Sequence, residues 1–419
     1  MTTHASTAAG QRRLRIALMG SRGIPATYSG FETFYEQLAV RLAARGHEVT
    51  VYNRRHHYKE RWREYKGVRV VTLPSIRSKH LDTLSHSFAS LVHALVAGND
   101  IFYLVIVGNS PLCLLAHLFG KKVIINVDGA DFARDKWTGF AKKYLSWTEK
   151  IAAGHADVVI ADSTVIQRRY AELFQRDTVF IPYGANPYPR DRADSDRSVL
   201  DRFGLHSGEY ILFVSRMTPE NCAHVLVEAY RRSGSRRKLV LVGDAPYVDE
   251  YRQRVQQLAQ ESGAVMTGYL FGEDYRNISV HCRYFVLPAG IDGTRPVLLD
   301  QMAFGNCVVV RNTPANMEVI GSAGASFADS DDVESLANAL RRLDADDAEV
   351  ERLRHAALDR VQQTYSWERV TDQYEELFAQ LAGSRRSGSA PGGVASSERH
   401  ATAFTPVEPK SAAWYRRLF

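Results

Sequence analysis

No apolar run in this 419-residue chain approaches the roughly 20 residues needed to cross a bilayer. The first residues, MTTHASTAAGQRR, lack the apolar core of a secretory signal. Cysteine is scarce: Cys113, Cys222, Cys282 and Cys307 are widely scattered, without metal-binding or redox spacing. That argues against a disulfide framework and suits a reduced compartment, so a cytoplasmic location is expected. The dinucleotide fingerprint G-x-G-x-x-G and the Walker phosphate loop are both missing. Nicotinamide chemistry is therefore disfavoured, no lysine stands in a context that suggests pyridoxal, and no cofactor is expected. His56 and His57 are neighbours rather than an i, i+4 pair, and no cysteine or acidic residue accompanies them. No metal site is expected from that spacing.

What is present fits an ordinary globular protein, with 45% hydrophobic and 24% charged residues. The length exceeds what one hydrophobic core normally supports, so two domains are expected. The formal charge of +6 is modest but unevenly placed. Two basic, aromatic stretches stand out, Arg54 to Arg69 (RRHHYKERWREYKGVR) and Arg134 to Lys150 (RDKWTGFAKKYLSWTEK). Each taken alone reads first as a solvated face; together they raise the expectation of peripheral contact with an anionic membrane. Nucleic acid is not an expected partner.

Short apolar runs alternate with helical periodicity, the pattern of a parallel α/β sheet. Strands are expected at Leu14–Met19, Val49–Tyr52, Val68–Leu73, Ile101–Val107, Val123–Val127, Val158–Ala161 and Val179–Ile181. A polar stretch with two prolines, NPYPRDRADSDRSVLDRFGLHS, then interrupts the pattern, which restarts at Tyr210–Val214 and Lys238–Val242. The expected organisation is a first Rossmann-like domain over 12–186, a linker over 187–208 and a second Rossmann-like domain over 209–365. A returning helix over 366–381 and a disordered tail over 382–419 complete it.

Four strand ends carry candidate chemistry. In GSRGIPATYSGFETF, Gly20 and Gly23 permit a tight turn before a helix, whose free amides suit an anion, and Arg22 would meet a diphosphate directly. In INVDGADFARDKW, Asp128 and Asp131 stand where a carboxylate can orient or deprotonate a hydroxyl; an Asp-Gly turn with a helix cap explains them equally well. In FVSRMTPEN, Arg216 offers a planar fork to a diphosphate, against the plain alternative of an exposed loop arginine. In PAGIDGTRPVLLDQMAFGN, Asp292 and Asp300 bracket the Gly293–Thr294 turn and the start of a helix, suiting sugar hydroxyls and an anion.

Together with RGHEVTVY, ADVVIADS and IPYGA, these four segments resemble the family-4 glycosyltransferases of GT-B fold. SRGIPATYSGFETFYEQL and NVDGADFARDKW are similar to the bacterial rhamnosyltransferase-like subgroup of polysaccharide assembly. The resemblance covers Arg15 to Leu381. It implies two Rossmann-like domains facing across a cleft, and metal-independent, retaining transfer from a nucleoside-diphosphate sugar to a glycan or lipid-linked acceptor. Arg216 would then neutralise the leaving diphosphate, Asp292 and Asp300 would fall on the family's paired acidic positions, and Asp128 would face the acceptor. The sequence departs from the pattern at Asn221, where a lysine is usual, at Asp300, where a glutamate is usual, and at Leu287–Ile291, where the subgroup carries a histidine. Those departures keep open a degenerate homologue acting as a binding or scaffold subunit.

Overall fold

The computed structural model describes residues 12–26, 30–78, 81–127, 139–188, 197–244, 249–290, 293–328 and 331–383. It starts with β1 (Arg15–Met19), whose last four residues are wholly enclosed, and enters α1 (Gly30–Ala44). Then come β2 (Glu48–Arg54), β3 (Glu64–Tyr65), β4 (Val68–Leu73), α2 (Asp82–Val96) and β5 (Ile101–Val105). The first half continues with α3 (Pro111–Leu118), β6 (Lys122–Val127), α4 (Phe140–His155), β7 (Val158–Ala161), α5 (Thr164–Phe174) and β8 (Val179–Phe180). These strands form one sheet in the order β3-β4-β2-β1-β5-β6-β7-β8, parallel except for β3 against β4.

Both faces of this sheet are covered, which is why its strands are almost continuously apolar. Leu91 of α2, Cys113 of α3 and Ala152 of α4 pack with Phe102, Leu104 and Ile125 on one face. Phe34, Tyr35 and Leu38 of α1 pack with Ile16, Leu18 and Tyr103 on the other.

The second half holds α6 (Ser198–Arg202), β9 (Tyr210–Val214), α7 (Ala223–Ser233), β10 (Lys238–Val242), α8 (Asp249–Ser262) and β11 (Val265–Gly268). After these come α9 (Gly272–Val280), β12 (Tyr284–Leu287), α10 (Pro296–Ala303), β13 (Val308–Arg311), α11 (Pro314–Ile320) and β14 (Ala325–Phe327). Its sheet is wholly parallel, in the order β11-β10-β9-β12-β13-β14. Helices α12 (Val333–Ala345) and α13 (Asp347–Arg360) follow, and α14 (Trp367–Gly383) ends the described chain.

Helix α14 packs on α1 and against β5, with Trp367, Val370, Tyr374 and Phe378 among its buried residues. The Tyr374 and Tyr103 hydroxyls meet at 3.0 Å, and Arg45 reaches Asp372 at 2.6 Å and Glu375 at 2.8 Å. Trp367 lies so close to Gly184 that a Cβ there would stand 2.6 Å from the indole, which explains the glycine in IPYGA. A second tie joins the halves: the Glu318 carboxylate of α11 accepts from the Thr164 amide (2.9 Å) and hydroxyl (2.8 Å). An acidic group from one domain thus caps helix α5 of the other, where the helix dipole favours it.

Several elements differ from expectation. Strand β5 stops at Val105 because Ile106 takes φ 70, a left-handed conformation that ends the ladder. Strands β3 and β11 were not expected; β11 is only half-buried, so its apolar signal is weak. The segment read as a linker contains α6, with Val199, Leu200 and Leu205 buried in the core. The segment expected to be a disordered tail lies largely outside the described residues.

Candidate functional site

In an open parallel sheet, loops on either side of the strand where the chain reverses direction diverge and leave a crevice at the carboxyl edge. Here the reversal falls between β1 and β5 in the first sheet, and between β9 and β12 in the second. Ala26, Gly30, Thr33 and Glu36 come from the first side, Ser215, Gly243 and Asp300 from the second, and all line one cleft of about 1100 Å³. The N-termini of α1 and α10 meet there: a Cβ at Gly30 would stand 3.1 Å from the Pro296 ring. Two helix dipoles therefore present their positive ends to the same space.

The first-domain loop is held by its own protein. Gly20 has φ 104 and Gly23 φ 123; a Cβ on Gly20 would lie 2.6 Å from the Val105 carbonyl, and one on Gly23 2.1 Å from Asn53 Oδ1. Asn53 accepts from the Ile24 amide at 2.9 Å and donates to its carbonyl at 2.6 Å. Arg54 donates to the Gly20 carbonyl at 3.3 Å, and Arg22 faces Glu32 at 4.0 Å. The residues following on this loop, Ala26 and Gly30, reach the cleft wall.

The second-domain loops are arranged differently. Arg216 is exposed, two residues beyond β9. Asn221 is buried, donates to the Arg216 carbonyl at 2.9 Å and the Thr218 hydroxyl at 3.0 Å, and accepts from the Arg295 guanidinium at 3.0 Å. One asparagine thus ties the backbone beneath Arg216 to the head of Arg295 across the β9–β12 crevice. Gly293 has φ 104, and the buried Thr294 donates its hydroxyl to the Asp162 carbonyl of the first domain at 2.8 Å.

Asp300 lies in α10 on the cleft wall. Burial pushes its carboxyl up to about 7, against the opposing pull of Arg276 and a hydrogen bond from Tyr275. Burial, aided by Glu318, also raises Asp162 to about 7; its Oδ1 has no hydrogen-bond partner among the described residues. Asp128, Asp131 and Asp292 lie outside the described residues.

Sequence reasoning missed several of these groups. Arg295 passed as part of a Gly-Thr-Arg-Pro turn, because its partner Asn221 is 74 residues away. Tyr269 and Phe271, stacked at 5.9 Å on the cleft, follow the unrecognised strand β11. The histidine pair also has an acidic companion after all. His56 and His57 place Nε2 3.5 Å and 3.7 Å from Asp82 Oδ2, and among the described residues this is the group whose atoms lie together as metal ligands might. Asp82 already accepts from Arg54 at 2.9 Å and Ser75 at 2.6 Å. His57 is pushed down to about 4 by burial and then by Arg22, His56 and Arg54, so the surroundings are cationic.

Comparison with known proteins agrees with this architecture. Residues 208–346 match the family described as Glycosyl transferases group 1, and residues 14–186 match a Domain of unknown function (DUF1972). The chain is 26% identical over 258 residues to alpha-maltose-1-phosphate synthase of Mycolicibacterium smegmatis, covering 57% of this chain and 66% of that protein. It is 29% identical over 180 residues to O-antigen chain mannosyltransferase B of Escherichia coli, covering 42% and 47% respectively. The chain thus spans less than two thirds of the length of either relative. Among solved structures, sucrose-phosphate synthase from Thermosynechococcus elongatus superposes with a TM-score of 0.74 at 21% identity, over 88% of this chain and 99% of that one. HepE from Anabaena, in complex with UDP-glucose, superposes with a TM-score of 0.72 at 15% identity, over 88% and 100%. The chain therefore has the GT-B fold, and its residues 208–346 resemble the glycosyl transferase group 1 family.

Proposed function

We propose that this chain is a glycosyltransferase that moves a sugar from a nucleoside-diphosphate sugar to a glycan or lipid-linked acceptor during cell-envelope or exopolysaccharide assembly. The observation that carries it is the meeting of both strand-order reversals on one cleft, with Arg216, Asn221 and Arg295 at the second and Asp300 on the wall. A nucleoside diphosphate lying over the β9–β12 crevice has two guanidinium groups for its phosphates, the stacked Tyr269–Phe271 pair for a planar base, and Asp300 for hydroxyls. In the transfer, the donor C1–O bond to the diphosphate opens as the acceptor oxygen bonds C1, and the acceptor hydroxyl gives its proton to Asp128 or to the departing diphosphate. Guanidinium groups fixed beside the leaving diphosphate stabilise the charge it acquires, and cost no reorganisation as it develops.

Asp128 is assigned the acceptor hydroxyl, with Asp131 beside it; Asp292, Gly293 and Thr294 are assigned to the donor sugar. The loop bearing Gly20, Arg22 and Gly23 is assigned to the donor as the wall that covers its diphosphate. Retention of configuration, independence from metal and rhamnose as the sugar rest on the motif resemblance. Action at the inner face of the plasma membrane rests on the two basic, aromatic stretches, Arg54 to Arg69 and Arg134 to Lys150. Thermal shift against UDP, GDP, ADP and dTDP and their sugars tests the reading. One nucleotide class should stabilise the protein, by mass action on the folded state, and lose that effect in Arg216→Ala and Asp300→Ala. Absence of any shift from a folded sample would favour the scaffold-subunit alternative.

A further inference from the structure

The solvent faces of α2 and α3 are apolar. In α2 the exposed positions are Phe88 (50%), Val92 (43%) and Val96 (86%), spaced four apart and so aligned on one side of the helix. In α3 they are Leu114 (39%) and Leu118 (81%), and Phe119 follows at 61%. A helix on a globular surface normally turns charged and polar residues outward. No exposed position of these two is charged or polar, the half-buried Asp82 and His117 being paired with Arg54 and Asp157, and they pack side by side, with α4 next to α3. Scattered exposed apolar residues need no explanation, but a continuous face across adjacent helices marks an interaction site.

The charge around the face selects the partner. On α4, Lys143, Trp147 and Lys150 are exposed at helical spacing, and Arg77 is exposed ahead of α2. The carboxylates described on α2, α3 and α4 are turned inward: Asp82 pairs with Arg54 and Ser75, and Glu149 with the buried Arg169 at 3.0 Å. An apolar face fringed by cations and an indole, with its acids neutralised, complements an anionic lipid surface. The apolar side chains enter the headgroup boundary and the lysines reach the phosphates.

We infer that the outer face of α2 and α3, with the Lys143–Trp147–Lys150 side of α4, docks the protein on anionic lipid. This assigns a surface to the membrane-side acceptor of the proposed function; it joins the end of the Arg134–Lys150 stretch singled out in the sequence to an apolar face that the sequence did not reveal, and leaves out the Arg54–Arg69 stretch. It stands apart from glycosyl transfer, since vesicle binding and nucleotide binding are read separately. The test uses the full chain, co-sedimented with vesicles of phosphatidylcholine alone and with added phosphatidylglycerol. Binding should require the anionic lipid, weaken as salt rises, and fall on the order of tenfold or more in the Val96→Asp, Leu118→Asp double variant. Both positions are exposed, so the variant should keep its melting temperature and its nucleotide-induced shift. A folded wild type that ignores anionic vesicles at low salt overturns the inference, as does a double variant that binds undiminished. A double variant that changes only the oligomeric state assigns the face to a second copy and overturns lipid as its occupant.

Discussion

The two loops at the strand-order reversals use similar residues to opposite ends. Between Gly20 and Pro25, the polar groups turn back into the protein: Asn53 brackets Ile24, Arg54 holds the Gly20 carbonyl, Tyr58 holds the Pro25 carbonyl and Arg22 faces Glu32. Between Arg216 and Asn221, the backbone is fixed by one buried amide while the Arg216 head remains in solvent. A loop whose groups are spent internally is a shaped wall. A loop whose scaffold is spent internally, leaving its cation outward, is prepared for an anion before the anion arrives, so less binding energy goes into ordering it.

The sharpest way to break this comparison is at Gly23. Its φ of 123 and the 2.1 Å approach to Asn53 leave no space for a methyl group. Gly23→Ala should cost at least about 3 kcal/mol in a urea titration, since backbone strain and a clash add. A cost under about 1 kcal/mol would mean that the loop yields readily and is not a fixed wall.

Next in size is the cationic pair. Arg295→Ala and Arg216→Ala should each weaken nucleoside-diphosphate binding about ten- to a hundredfold by calorimetry, the usual worth of a hydrogen bond to a charged group. Melting temperature should barely move for Arg216→Ala. Asn221→Ala should reproduce part of the loss without touching a ligand, because it frees the Arg295 head. If Arg22→Ala weakened binding more than Arg295→Ala, the two loops would have exchanged roles.

Asp162 offers a smaller effect with a definite sign. Its carboxyl is raised to about 7 by burial, while an unfolded aspartate titrates near 4. The folded state therefore holds a proton that the unfolded state has lost, and wild-type stability should fall as pH rises from about 4 to about 7. Asp162→Asn keeps the acceptor and removes the charge, so it should be more stable than wild type at pH 8 by about 1–3 kcal/mol. The gain should vanish near pH 4. A variant that is less stable at pH 8 would show that Asp162 is held ionised by a neighbour.

Much of this architecture was legible because parallel strands buried on both faces write themselves as uninterrupted apolar runs, as IALM and YILFV do. Glycines at Gly20, Gly23 and Gly293 were visible too, since left-handed turns at strand ends select them. Hidden from the sequence were groups assembled by tertiary contact: Asn221 with Arg295, Asp162 with Thr294, and Asp82 with the histidine pair. No spacing rule links residues 74 or 132 positions apart. Strand β11 escaped for a simpler reason, because a half-buried edge strand lacks the apolar excess by which strands are found.

Asp300 extends the comparison to the cleft wall itself. A carboxyl raised to about 7 is half protonated near neutrality, and only the ionised form accepts from two hydroxyls at once. Ligand hydroxyls stabilise the ionised form, so affinity for a donor should rise as pH goes from 6 to 8 and level off above. The gain is bounded by the proton that must leave, about tenfold per pH unit below the carboxyl's own value. Asp300→Asn should flatten this dependence, leaving a few-fold weaker, pH-independent affinity. Asp300→Glu restores the carboxylate one methylene further out, and should recover the pH dependence if reach into the cleft is all that distinguishes the two acids. A wild-type affinity that is flat from pH 6 to 8 would instead mean that Arg276 and Tyr275 already hold Asp300 ionised, and that the second-domain wall, like its loop, is charged before the ligand enters.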